Sequence, residues 1–408
     1  MRRKPCVYDV IIVGAGLGGM VAAIESGKKG LRTLLLEKND KPGKKLLASG
    51  GGQCNITNAI PMGQFLSYYY EKDKFAGKSI RKYNPDFLCK WFLDIGIPLK
   101  TRDDGKVFPE SGEASELLEG LINQINLLQV EFRVNAPVHH VEKLEGLFVA
   151  DSESQTFIGK KLIIATGGLS YPALGSSGDG FQMAISFGHR ISEPRPALTS
   201  IQVYPHLLEE LTGVSLKQAH LEHWRQNKKV GAYKGDLLIT HDGVSGPVIL
   251  NYSRYFEDDD VLTLNLAAPM KPDIYANMLL NSISEFGKKQ VKNILYSEQI
   301  PKRLIDLILH TANVSKDQRC AELTKEQRKE IVRLITAFPF KIHRVKGFKE
   351  AMVTSGGVET EEVDGKTMES KLVSGLYFVG EVMDVDGMTG GFNLQFAFSS
   401  GMAAAKSI

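Results

Sequence analysis

The apolar positions of this chain fall into two rhythms. Tyr8–Val13 reads YDVIIV, a β-branched and nearly unbroken apolar run of the kind found in strands buried on both faces of a parallel sheet. GAGLGGM follows, then VAAIESGKKG with helical spacing and a glycine at its end, then LRTLLLEK, a second buried strand closing on Glu37. Strand, glycine turn, helix and strand make a complete βαβ unit. Helices are predicted near Asp86–Asp94 and over Ala114–Leu128, and strands over Val130–Val134 and Val138–Leu144. LFVADSESQTFIGKKLIIATGG reads as a hairpin followed by another buried strand, again ending at a glycine pair.

The rhythm changes at EPRPAL, where Pro194 and Pro196 break the pattern. LTSIQVY, SLKQAHLEHW, GDLLIT and DVLTLNLA then predict strands without intervening helices, hence a small antiparallel sheet or barrel. Residues 271–336 are helical in pattern. KLVSGLYFVGEV restores the buried-strand style, and FNLQFAFSSGMAAAKSI closes as a helix. The expected fold is α/β: a Rossmann-like domain from 1–194 and 342–408, interrupted by an insert at 195–341. The insert divides into a β-rich part, 195–269, and a helical part, 270–338.

Composition adds little beyond exclusions. The 408 residues carry 50 basic and 47 acidic side chains, so no dedicated nucleic-acid or membrane surface is expected. Cys6, Cys54, Cys89 and Cys320 show neither CxxC nor zinc spacing, which predicts reduced thiols, a cytoplasmic protein and no metal. Met1–Lys4 and the apolar run behind them lack a cleavage site, and Asp9 interrupts them, so no signal or anchor is expected.

Gly14, Gly16 and Gly19 make GxGxxG in its required context, with a strand before, a helix after and Glu37 at the end of the next strand. Gly14 permits the tight turn, and Gly16 lets a pyrophosphate approach backbone around Ala15. Gly19 lets the helix pack on the strand. Glu37 suits a ribose 2′-hydroxyl and repels a 2′-phosphate, leaving FAD or NAD. ATGG, with Thr166, Gly167 and Gly168, and VGEV, with Gly380 and Glu381, point to FAD: the carboxylate is placed as in two-dinucleotide-fold flavoproteins, which more often have Asp there. TGGFNLQ opens the last helix, and amides near Gly391, Phe392, Asn393 and Leu394 suit the flavin edge that becomes negative on reduction.

The motifs VGAGLGG, KPGKKLLASGGGQCNITN, KVFPESGEA, ATGGLSYPALGSSGDG, GDLLITHDGVSGP and VGEVMDVDGMTGGFNLQFAFSSG resemble, in order, the aminoacetone-oxidase-like family of FAD flavoproteins, which includes bile-acid dienone reductases. The resemblance spans nearly the whole chain. It implies noncovalent FAD and an insert with barrel-like and helical parts covering the flavin. It places the loop of Gly51, Gly52 and Asn55 against the cofactor, and extends the cofactor set to Lys38, Lys45 and Val138. Gln53 departs from the family's usual Arg, which puts an anion-binding role there in doubt.

Cys54, Tyr171 and His241 are the candidate catalytic side chains. Each has a bland alternative: a packed thiol, a loop-shaping tyrosine and a turn histidine. The expected activity is hydride transfer at flavin N5 with a small, carbonyl-conjugated substrate, steroid-like in one version, with NADH or NADPH as transient donor. The alternatives are an amino-ketone oxidase using O2 and a flavin-containing RNA-associated or regulatory protein. No nucleic-acid or membrane partner is expected, and the sequence does not define the oligomeric state.

Overall fold

The computed structural model describes residues 7–153, 155–204, 206–296 and 300–408, without the side chains of 206, 207 and 209. Cys6 and the Met1–Lys4 run lie outside the described residues. The chain divides into two compact units, residues 1–197 with 348–408, and residues 198–347.

In the first unit β1 (Val7–Val13) is central. It pairs in parallel with β2 (Thr33–Leu36) on one side and with the strand Gln155–Ile164 on the other. Glu131–Arg133 extends the sheet beyond β2. Leu376–Phe378 joins in parallel beside the end of Gln155–Ile164, whose first half pairs with Leu147–Ser152. The expected hairpin is present, and its second arm and the expected buried strand form one continuous strand of 10 residues. β1, β2, Gln155–Ile164 and Leu376–Phe378 run into Gly14, Glu37, Ala165 and Val379 respectively, so the conspicuous motifs gather at one edge of the sheet. Ligands of open α/β sheets bind at that edge.

Helix α1 (Leu17–Lys28) packs against the last helix, α2 (Phe392–Ser407). The crossing is close enough to need glycine, because a Cβ on Gly401 would lie 2.4 Å from Gly18 O. Glu25 on α1 is 2% exposed and is met by Lys28 Nζ at 2.8 Å, Lys406 Nζ at 2.6 Å and Trp91 Nε1 at 2.8 Å. Burial alone would raise its carboxyl, but these donors hold it below the ordinary range. Removing one partner would strand a buried charge, the expensive way to break such a cluster.

The second unit contains a closed six-stranded barrel, ordered Ile201–Tyr204, Gly243–Ser245, Lys228–Ile239, Ser215–Arg225, Val261–Asn265 and Phe338–Val345. Helices Pro272–Glu285, Val291–Leu295, Lys302–Thr311 and Lys325–Thr336 sit between its last two strands in sequence. Phe338–Val345 alternates buried and exposed positions, with Phe338, Phe340 and Ile342 in the core. A cut at 341 falls inside this strand. Pro194 and Pro196 lie in Ile191–Ala197, which pairs with Val353–Val358 in the first unit.

Candidate functional site

Three glycines of the first turn have three different physical reasons. Gly14 has φ +106°, and a Cβ there would lie 2.4 Å from Ala165 O. A Cβ on Gly19 would lie 2.0 Å from Gly14 O. Gly16 has ordinary extended backbone (φ −77°), and a Cβ would meet nothing within 4 Å. Nothing in the protein itself requires glycine at 16. The space it leaves adjoins the N-terminus of α1, which has no side-chain cap and no acidic residue in its first turn. The early amides of such a helix lack intrahelical partners and favour an anion.

Glu37 is buried beside this turn. Its Oε2 accepts from Ala15 N at 2.9 Å, and its Oε1 accepts from Asn39 N at 2.9 Å and Asn39 Nδ2 at 2.8 Å. Ala136 N donates to Glu37 O at 2.9 Å, bringing the segment that leads to Val138 alongside. Lys38 is committed to the GSSGDG loop: its ammonium contacts Ser177 Oγ and lies 2.6 Å from Asp179 Oδ2.

The ASGGGQC loop is compact. Gly50, Gly51 and Gly52 have φ of +59°, +65° and +90°, and Cys54 follows at +56°. Successive left-handed residues strain any side chain, which accounts for the glycine run. Gly51 and Gly52 are exposed, with nothing within 4 Å of a Cβ. Cys54 is fully buried, and burial pushes its thiol up to about 11. It is therefore a neutral thiol at ordinary pH, which favours the packed-residue alternative over a reactive thiolate. Arg102 Nη2 donates to Gln53 Oε1 at 3.1 Å, and its guanidinium lies 3.7 Å from the Phe108 ring centroid. A cation from the turn between the paired strands Leu99–Thr101 and Lys106–Pro109 thus stands beside the position where the family usually has Arg.

A second cluster joins four segments. Lys45 Nζ lies 2.5 Å from both Glu381 Oε2 and Ser170 Oγ. Ser170 Oγ donates to Glu381 Oε1 at 2.7 Å, and Thr354 N donates to the same oxygen at 2.9 Å. Gly168 lets the loop pass, since a Cβ there would lie 2.5 Å from Thr354 Oγ1 and 3.0 Å from Glu381 Oε1. Thr166 Oγ1 is buried without a hydrogen-bond partner among the described residues and packs against Gly180, where a Cβ would lie 2.0 Å from it. Ser170 and Thr354 escaped the sequence reading. Ser170 was within sight of it, two residues past the ATGG glycines, whereas Thr354 had no local signal.

At the start of α2, Gly391 has φ +95°, and a Cβ would lie 2.6 Å from Thr57 O. With its amide nitrogen facing the carbonyls, Asn55 donates to Thr57 O at 2.8 Å and accepts from Gly391 N at 3.2 Å. Phe392 stacks on Tyr68 at 4.3 Å, and Tyr69 Oη donates to Phe392 O at 2.7 Å. Asn393 is tied to Gly387 through both Oδ1 and Nδ2. No side chain caps α2, leaving its first amides, those near Leu394 among them, for a ligand.

Tyr171 is half-buried at φ +55°, a strained backbone for a bulky residue, with its N–H donating to Phe348 O at 2.9 Å. His241 belongs to the second unit, where its side chain is 82% exposed and 3.9 Å from Asp242. Burial would raise the Asp242 carboxyl, but Lys346 Nζ at 2.8 Å, Gln202 Nε2 at 3.2 Å and Thr240 Oγ1 at 3.1 Å bring it down to about 2. A depressed carboxyl stabilises the fold above its unfolded value of 3.8, and that stability fades as pH falls towards 2. Asp242→Asn is expected to cost about 2 kcal/mol at pH 6. The gap from wild type in pH-resolved thermal melts should narrow below pH 4, and a pH-independent gap would contradict it.

Cys54, Cys89 and Cys320 are free thiols. Among the described residues no cluster of three or more His, Cys, Asp or Glu could hold a metal, and no helix is long and apolar enough to cross a membrane. The open Gly16 cradle and the uncapped helix starts together fit a dinucleotide with a pyrophosphate, a ribose and a flavin ring.

The chain matches the HI0933-like protein Rossmann domain over residues 8–407. A protein of Escherichia coli (strain K12) named ribosomal RNA dihydrouridine synthase is 33% identical over 408 residues, covering 98% of each chain. The 3-dehydro-bile acid delta(4,6)-reductase of Clostridium scindens is 28% identical over 402 residues, covering 97% of each. Among solved structures, the 3-ketosteroid-delta4-(5alpha)-dehydrogenase of Rhodococcus jostii RHA1 has a TM-score of 0.51 at 15% identity, covering 99% of this chain and 98% of that one. At that identity the likeness speaks to the fold alone.

Proposed function

The chain belongs to the HI0933-like family and is an FAD-dependent oxidoreductase, and from that premise we propose that it reduces a carbon–carbon double bond conjugated to a carbonyl, in the uracil ring of an RNA. The observation that carries the reading is the 33% identity, over nearly all of both chains, to a protein named for making dihydrouridine in ribosomal RNA. Uracil C5=C6 is conjugated to the C4 carbonyl. A 3-keto-4,6-diene is an extended case of the same electronic pattern, so one chemistry covers both named relatives. Near-neutral charge over a whole chain does not exclude a local basic face. The expectation of no nucleic-acid partner is therefore not carried into this reading.

Bound FAD supplies hydride transfer, and the chain supplies grip and orientation. The Gly14–Gly19 turn and the start of α1 take the pyrophosphate, and Glu37 takes a ribose hydroxyl. Glu381, held by Lys45, Ser170 and Thr354, orients the ribityl chain. The uncapped amides opening α2 would hold the pyrimidine edge of the flavin. NADH or NADPH would supply the two electrons as hydride. The uracil C6 carbon then receives hydride and C5 receives a proton from an acid of the chain, for which Tyr171, in the same unit as the dinucleotide motifs, is the candidate.

The test is incubation of the FAD-loaded protein with NADPH or NADH and unmodified ribosomal RNA transcripts, followed by mass spectrometry of the nucleosides. Uridine heavier by two hydrogens is the expected product. Unchanged RNA together with reduction of a 3-keto-4,6-diene steroid would move the assignment to the bile-acid chemistry, which the 28% identical relative favours. Unchanged RNA together with fast reoxidation of the reduced protein by O2 would favour the amino-ketone oxidase.

A further inference from the structure

We propose that the outer face of the barrel in the second unit is a docking surface for single-stranded RNA. The proposal rests on the RNA reading above and supplies it with a binding surface.

The strand register sets five residues in one row across five strands. Tyr204 pairs with Lys341, Lys341 with Val261, Val261 with Trp224, and Trp224 with Lys229. Neighbouring strands lie about 4.8 Å apart, so the row runs roughly 19 Å over the sheet. Side chains alternate between faces, and the intervening residues Phe340, Ile342, Leu262 and His223 are buried inside. The row is therefore on the outside, and it reads ring, cation, valine, ring, cation. Tyr204 is 47% exposed, with His343 at 4.3 Å from its ring and Lys341 above it at 5.7 Å. Trp224 donates its indole N–H to Thr263 Oγ1 on the adjacent strand at 3.1 Å, which fixes the ring on the sheet.

Two carboxylates pair with lysines of the row, and a third, Asp236, two residues from Lys234 on the same face, pairs with Lys217 at 2.6 Å. Glu222 lies 2.5 Å from Lys229, and Asp259 lies 2.9 Å from Lys341. Both pairs are largely exposed, and such pairs contribute little in water, so a phosphate can take either ammonium. Lys234, across from His220 on the same face, has no ion-pair partner among the described residues. Fixed rings between flexible cations match bases between phosphates. An acidic peptide would use the lysines and leave the rings idle.

The chain has two tryptophans, and Trp91 is buried in the first unit, which makes Trp224 a built-in reporter. The experiment titrates FAD-loaded full-length protein with an oligouridylate of about 12 nucleotides, within the usual site size. It reads anisotropy of a labelled strand and tryptophan emission together. Binding with quenched emission is expected. Trp224→Ala and Tyr204→Ala should each weaken binding about fivefold or more, the loss of one base stack. Lys229→Gln with Lys341→Gln should lower the salt slope by about 1.4, at roughly 0.7 per phosphate on a single strand. The flavin spectrum and reduction by NADPH should stay as in wild type, showing that the variants are folded.

Absent wild-type binding, or equal affinity and slope in all these variants, would overturn the proposal. RNA reduced normally by variants that bind normally would sink the docking surface and keep the reductase reading. RNA bound through this face but never reduced would keep the surface and sink the reductase reading.

Discussion

Gly16→Val is expected to purify as a folded, colourless protein. Its backbone already sits at φ −77° and ψ −179°, which valine adopts without strain, and its added atoms meet no part of the chain within 4 Å of the Cβ. The cost to the fold is the change of residue at the helix N-cap, about 1 kcal/mol. The same side chain fills the space beside the first amides of α1. A pyrophosphate held off these amides loses charge-assisted hydrogen bonds and the favourable end of the helix dipole. A fall in FAD affinity of about 100-fold or more is expected, equivalent to about 3 kcal/mol. The ratio of flavin to protein absorbance and an FAD titration of the apo variant measure it. Full flavin occupancy in Gly16→Val would refute the placement of the pyrophosphate.

Gly19→Val, only three residues on, is expected to fail for the opposite reason. Here a Cβ alone would stand 2.0 Å from Gly14 O and 3.2 Å from the Ala165 side chain. Neither neighbour can move freely: Gly14 N donates to Leu36 O at 2.8 Å, and Ala165 N donates to Val13 O at 2.8 Å. The helix must lift off the sheet. About 3 kcal/mol or more of stability should go, the upper end of overpacking costs, because the clash is with backbone. Apo-protein melts separate the two variants: Gly16→Val should melt near apo wild type, and Gly19→Val many degrees lower. Equal melting temperatures would show that helix–strand contact does not depend on Gly19.

The two variants also mark how far sequence reasoning reaches. GxGxxG was legible because its requirements are local: a tight turn, an approach path and a packing contact lie within six residues. The motif also assigns Gly16 to the ligand and Gly14 and Gly19 to the protein; what it cannot supply is the neighbour, Ala165, about 150 residues away in the chain, that leaves no room for a Cβ at Gly14. Cys54 shows the same limit. Beside three glycines, with no second cysteine at disulfide spacing, it reads more readily as a packing residue than as a redox thiol. Its full burial, which raises the thiol to about 11, supports packing with a reason the sequence does not contain. Gln53 looked like a lost charge, but Arg102 reaches it from the turn of a strand pair whose sequence carries no sign of the contact.

The sequence by itself determined the βαβ opening, the parallel sheet, the dinucleotide turn and four of the six strands of the barrel, because apolar period and glycine conformation act over a few residues. Tertiary structure alone decided how the barrel closes. Its last strand, Phe338–Val345, returns to Ile201–Tyr204 across more than 130 residues, a pairing that only packing of the buried face can select. Tertiary structure also assembled Lys45, Ser170, Thr354 and Glu381 into one hydrogen-bonded cluster. It aligned Tyr204, Lys341, Trp224 and Lys229 in one row as well. Such groupings depend on register between distant strands and loops. A single residue's slip would turn each side chain to the opposite face, so no local pattern can encode them.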